Sequence, residues 1–106
     1  MSSGPLLDRL AAEGLAAHSW SNGPGERYEV HAHDYDKVIV VALGSIVFGL
    51  PAADQRIELE AGDRLELPAG TAHRADVGQN GVTCLEAHWP AGRLPPGPRR
   101  RPAGDW

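Results

Sequence analysis

Between residues 16 and 90 the chain is cut into short apolar runs by turn-forming residues, and this punctuation constrains the fold more than any other feature. The breaks read Asn22-Gly23-Pro24-Gly25, Leu43-Gly44-Ser45, Pro51-Ala52-Ala53-Asp54, Ala61-Gly62-Asp63, Pro68-Ala69-Gly70 and Gly78-Gln79-Asn80-Gly81. Glycine supplies positive φ and proline presets φ for tight turns, so each break marks a change of direction. The runs between them are β-like. Residues 37–43 and 45–50 are rich in Val, Ile and Phe, and 56–60 and 64–67 alternate apolar with charged side chains. Residues 82–89 close the series. Short strands punctuated this often predict an all-β sandwich or barrel. One helix is expected, over residues 5–14, where Leu6, Leu7 and Leu10 recur at helical spacing, Pro5 suits a first turn and Gly14 a stop. A helix this short needs a larger surface to dock on.

A chain of 106 residues matches one domain, here expected over 1–92, with a Pro/Arg-rich tail over 93–106. The tail holds Arg93, Arg99, Arg100 and Arg101, and its prolines and glycines argue against any regular element. The formal net charge of −4 argues against a nucleic-acid partner. No apolar run approaches the roughly 18 residues that span a bilayer, and no secretory signal opens the chain. The single cysteine, Cys84, has no disulfide partner and lies in an apolar run, which reads as a buried structural thiol. Together these predict a cytoplasmic protein without a membrane partner.

The chemistry-bearing residues are histidines. His31 and His33 lie two apart in an extended segment, and residues two apart on a strand face the same way, roughly 6.6 Å apart. Two such imidazoles can converge on one ion about 2.0–2.2 Å from each ring nitrogen. His-x-His alone also fits two histidines on an exposed face. A third imidazole from elsewhere would complete a facial set with open positions.

The context of His73 supplies that third candidate. Gly25, five residues, His31-Ala32-His33, three residues, Lys37, six residues and Gly44 resemble the first cupin motif. Gly62, five residues, Pro68-Ala69-Gly70, two residues and His73 resemble the second. The resemblance implies a jelly-roll barrel of two antiparallel sheets with its ligands facing inward near one mouth. It also implies that His31, His33 and His73 bind a divalent transition metal (Zn, Fe, Ni or Cu), and that the protein pairs as a homodimer. Oxygenase, isomerase and decarboxylase activities on small molecules are all compatible with that fold.

Two positions depart from the motif. Lys37 stands where the family carries a glutamate ligand, and Val77 replaces an asparagine often found after the last histidine. Strand alternation puts Lys37 on the inward face, with Glu29 on the His31 face and Glu86 on one face with Cys84 and His88 as its partners. Lys37 and Glu29 are therefore the candidates to orient an anionic group or move a proton. Two arrangements follow: three histidines hold an ion while Lys37 pairs with a carboxylate or an anionic substrate, or the lysine occupies the place of the ion. The remaining candidates read as packing groups: His88 at the rim, His18 structural, Trp20, Tyr28, Tyr35 and Trp89 around a pocket or core, Asp34 and Asp36 solvated. Three functions fit: a metal-dependent small-molecule enzyme, a non-catalytic ligand-binding module, or a structural cupin with a decayed site.

Overall fold

The structure is a computed structural model that describes residues 4–106. Its elements are helix α1 (Gly4–Ala12) and strands β1 (His18–Asn22), β2 (Arg27–His31), β3 (Tyr35–Leu50), β4 (Gln55–Glu60), β5 (Arg64–Leu67), β6 (His73–Pro90) and β7 (Arg99–Arg101). A single 3-10 turn, Pro51–Ala53, links β3 to β4.

β3 and β6 are long antiparallel partners that carry the whole architecture. Where 35–41 of β3 faces 84–90 of β6, β1 adds beside β6, and β5 and then β7 add beside β3. Where 46–49 of β3 faces 74–77 of β6, β2 adds beside β6 and β4 beside β3. Two four- or five-stranded layers thus share the same two strands, and the core fills the space between them. Ile39, Val41 and Leu65 from one layer pack with Ile46, Phe48, Leu50, Ile57 and Leu59 from the other.

The two layers are joined at paired irregularities. The β3/β6 register shifts between Val41 and Leu43 and again between Gly44 and Ile46, and bulges of this kind bend and twist a strand. Gly44 has φ +79°, and a Cβ there would lie 2.0 Å from the Gly81 carbonyl oxygen, so the strands cross with no room for a side chain. This corrects two sequence expectations: Leu43-Gly44-Ser45 and Gly78-Gln79-Asn80-Gly81 do not end strands but bend continuous ones. Glycine marks both a turn and a bulge, and the pattern alone cannot separate them.

Val38, Val40 and Ala42 point to the opposite side from Ile39 and Val41, and α1 covers them together with Leu85 and Ala87. Strand 38–41 is therefore buried on both faces, which explains its unbroken apolar text. The helix stops at Ala12 because Gly14 turns left-handed (φ +78°), and the Gly14 and Leu15 amides close on the Ala11 and Leu10 carbonyls.

The segment after residue 92 departs from the expectation of no regular element. Arg99–Arg101 pairs with β5 as β7. Arg100 reaches Asp63 at 3.0 Å and Arg101 reaches Glu66 at 3.3 Å. The Trp106 indole donates to the Gly62 carbonyl and stacks on the buried Arg64, which is itself held by Glu13 and Glu66. Prolines spaced around a three-residue strand do not interrupt it, and the arginines find carboxylates that only the folded β5 edge brings together. No helix among the described residues is long and apolar enough to cross a membrane.

Candidate metal centre

His31 is the last residue of β2 and His73 the first of β6, and they sit directly opposite one another in that pairing. The ladder thereby joins two histidines 42 positions apart in sequence, with ring centroids 4.4 Å apart. His33 follows β2 in the connection to β3; its ring lies 4.9 Å from that of His31 and 5.4 Å from that of His73. One ligand atom from each of the three lies within 4.8 Å of the others, a group able to hold a metal ion. Pro68, Ala69 and Gly70 deliver His73 to its place: the Gly70 amide donates to the His33 carbonyl at 2.7 Å, tying the two histidine-bearing segments together.

The second contacts of these rings set their lone pairs. His31 Nδ1 donates to the Glu29 carbonyl at 2.7 Å, and His73 Nδ1 donates to the Thr71 carbonyl at 2.9 Å. A carbonyl only accepts, so in both rings the proton sits on Nδ1 and the lone pair on Nε2. This backbone-anchored tautomer is the one that metal-ligating histidines adopt. His73 is 2% exposed, and its Nε2 has no hydrogen-bond partner. Burying an acceptor without a partner is costly, so the residues fit a divalent ion on chemical grounds. Burial is the main cause that lowers the His73 pKa to about 4, reinforced by His31 and Lys37 against the Thr71 bond. Burial, then Lys37 and His31, also lowers that of His33. Both rings are held neutral, the form that ligates.

Beside the histidines opens a cavity of about 300 Å³, whose lining includes His31, His73, Lys37, Glu86 and the apolar Ile39 and Phe48. Lys37 lies on the inward face, as alternation predicts, and is 8% exposed. Its Nζ is 3.4 Å from Glu86 Oε1 and 3.4 Å from His33 Nε2. Glu86 also accepts from Trp20 Nε1 at 3.0 Å and from His88 Nε2 at 2.6 Å. Burial pushes the Glu86 pKa up, but the His88 bond, Lys37 and Trp20 outweigh it, so the net shift is downward and Glu86 stays a carboxylate.

Other sequence expectations fall differently. Glu29 does not join the cavity. The β2/β6 register slips between Tyr28 and His31, so Tyr28 lines the cavity with His31 while Glu29 is exposed along an outer groove with Arg27 and Arg74. Period-two counting fails across a bulge. Asp36 is not solvated: it is 1% exposed and accepts the amides of Ala69, Arg93 and Leu94 at 2.7–2.8 Å. His18 lines the cavity and meets His88 edge-on at 6.1 Å, which its sequence surroundings did not signal. His88 is at the rim, its ring tilted against that of Tyr35 with centroids 4.0 Å apart, and Cys84 is buried and free, with burial raising its pKa to about 12.

No protein-family model and no curated protein matches the sequence. Solved structures do match. YhaK from Escherichia coli superposes with a TM-score of 0.69 at 15% identity, over 85% of this chain and 43% of that one. Bacillus subtilis oxalate decarboxylase, a protein with Mn(II) centres, gives 0.61 at 20% identity over 76% of this chain and 22% of that one. A cupin superfamily protein from Desulfitobacterium hafniense gives 0.63 at 22% identity over 72% of this chain and 67% of that one. The chain thus spans under half the length of the first two. Likeness at this identity speaks to architecture alone, and it agrees with two antiparallel layers sharing long strands: the chain has a jelly-roll fold of the cupin type.

Proposed function

We propose that this protein is a metal-dependent cupin acting on a small molecule, with His31, His33 and His73 as the ligands of a divalent transition ion. The observation that carries the reading is the buried Nε2 of His73, left without a partner on a ring of the three-histidine cluster. A bound divalent ion would supply Lewis-acid polarisation of a coordinated oxygen. The chain's own residues do the rest. The Glu29 and Thr71 carbonyls hold His31 and His73 in their ligating tautomers, Phe48 packs beside His73, and Lys37 and Glu86 present one charge of each sign to the cavity. The Mn(II) centres of the oxalate decarboxylase neighbour are consistent with a metal in this fold.

The test is elemental analysis of protein expressed with supplemented Zn, Fe, Ni, Cu or Mn, beside the His73→Ala variant. About one equivalent of a transition metal in the wild type, lost in the variant, is expected; metal-free wild type from every medium ends the proposal. Turnover of small organic acids by the loaded protein, with product identified, separates an enzyme from a binding module. A second reading has its own observation: Lys37 Nζ donates to His33 Nε2, an arrangement in which the ammonium stands in for an ion. That reading predicts that Lys37→Ala acquires metal binding the wild type lacks.

A further inference from the structure

We infer that the cavity takes a small monocarboxylate with an apolar body, anchored by Lys37. The inference rests on the cavity of the proposed function but not on the identity of any ion.

Lys37 is the feature that the three-histidine cluster leaves unexplained. The residue is buried, 8% exposed, yet both contacts of its ammonium are long, 3.4 Å to Glu86 and 3.4 Å to His33. Charge-assisted N–H···O bonds normally close to about 2.7–2.9 Å. An ammonium has three protons to donate, and neither contact is close enough to use one well. Glu86 cannot compensate by moving, because its two oxygens are already held by Trp20 at 3.0 Å and His88 at 2.6 Å. The carboxylate is fixed by β1 and β6, and the lysine is left facing the cavity with donor capacity to spare.

The rest of the wall says what kind of anion fits. The cavity of about 300 Å³ lies at the small end of ligand sites. Beside the charged pair the lining also carries the apolar Ile39, Phe48 and Ala75, so an apolar portion of a ligand finds contacts there. Glu86 lies 3.4 Å from the same ammonium and repels a second negative charge, which disfavours a dianion such as a phosphate ester. A single planar carboxylate accepts two donors without bringing that second charge.

The experiment uses three probes of similar shape: benzoate, its neutral isostere benzamide, and phenylphosphonate as a dianion. Binding is measured by titration calorimetry and thermal shift at pH 8.5, where phenylphosphonate is a dianion, on the wild type, Lys37→Met and Lys37→Gln, with metal content determined on each sample. Benzoate is expected to bind at least tenfold more tightly than either other probe, in keeping with a charge-assisted bond. Either lysine variant is expected to remove that preference without lowering metal content. Having two variants, each checked for a cooperative melt, separates lost binding from lost folding. Benzamide or phenylphosphonate binding as well as benzoate, or a preference that survives in a folded lysine variant, overturns the inference. Benzoate selectivity in protein that carries no metal upholds the inference while the metal-centre proposal fails.

Discussion

Individual side chains at this site carry opposing demands, and the titration of His73 shows the balance. Its pKa falls from 6.5 to about 4 because burial penalises the imidazolium. Below pH 6.5 the unfolded chain binds a proton that the folded one refuses, so stability declines as pH falls from 6.5 towards 4. The shift corresponds to about 3 kcal/mol across that window. Urea denaturation of metal-stripped protein at pH 7.5 and 4.5 is expected to show this loss, and a His73→Asn variant to show much less of it. Asp36 makes a second, separable case. Burial raises its pKa, but four backbone amides, those of Ala69, Leu94, Arg93 and Gly92, outweigh that and bring it below its ordinary value. Its contribution to stability is present above the ordinary carboxylate range and is lost as pH drops through it. Asp36→Asn halves the acceptor capacity facing those amides and is expected to cost about 2–3 kcal/mol in chemical denaturation at pH 7. Because Asp36 holds Ala69, in the turn before His73, the same variant is expected to weaken metal retention measured by competition with a chelator.

At the scale of elements, the bend between the layers and the C-terminal strand are the places where small changes are costly. Gly44 turns with positive φ against Gly81, and any Cβ collides with the Gly81 backbone. Gly44→Ala is expected to destabilise the protein by about 2–4 kcal/mol, read as a lowered midpoint with unchanged slope in urea. A substitution to Ala at Gly70, which has positive φ but open space around it, is expected to cost about 1 kcal/mol from backbone strain alone. The β7 strand answers to its ionic anchors. Asp63 accepts from the Ala103 amide and from Arg100, and Arg64 sits buried between Glu13 and Glu66 beneath Trp106. Removing the Asp63 carboxylate leaves the Ala103 amide without its acceptor and Arg100 with only the Glu58 carbonyl. Amide hydrogen exchange in 99–106 of Asp63→Ala is therefore expected to quicken more than exchange in β3.

For the whole molecule, the test is whether the core behaves as one unit. Cys84 lies at 0% exposure between the two layers, with its thiol pKa raised to about 12. Alkylation at pH 8 is expected only through opening of the barrel, so the labelling rate should rise with urea in parallel with global unfolding. Fast labelling of native protein would mean that the layers separate locally.

Much of this was written in local text. The spacing Gly25 to His33 and Gly62 to His73, the alternation that turns Lys37 inward, and the apolar run 38–41 are chemical facts of neighbours along a strand, and each survives folding unchanged. What local text could not specify is where the count of two breaks. The slip between Tyr28 and His31 sent Glu29 outward and brought Tyr28 in, and paired glycines became bends rather than ends. Partners far apart in sequence were equally invisible. His18 faces Glu86 across a ladder, Asp36 gathers amides from 69 and 93–94, and the arginines of β7 meet carboxylates of β5 and the turn before it. Side-chain type and spacing determine which groups are available and which way a regular strand points them. Only closure of the barrel decides which meet, because register and burial are set by the packing of every strand at once.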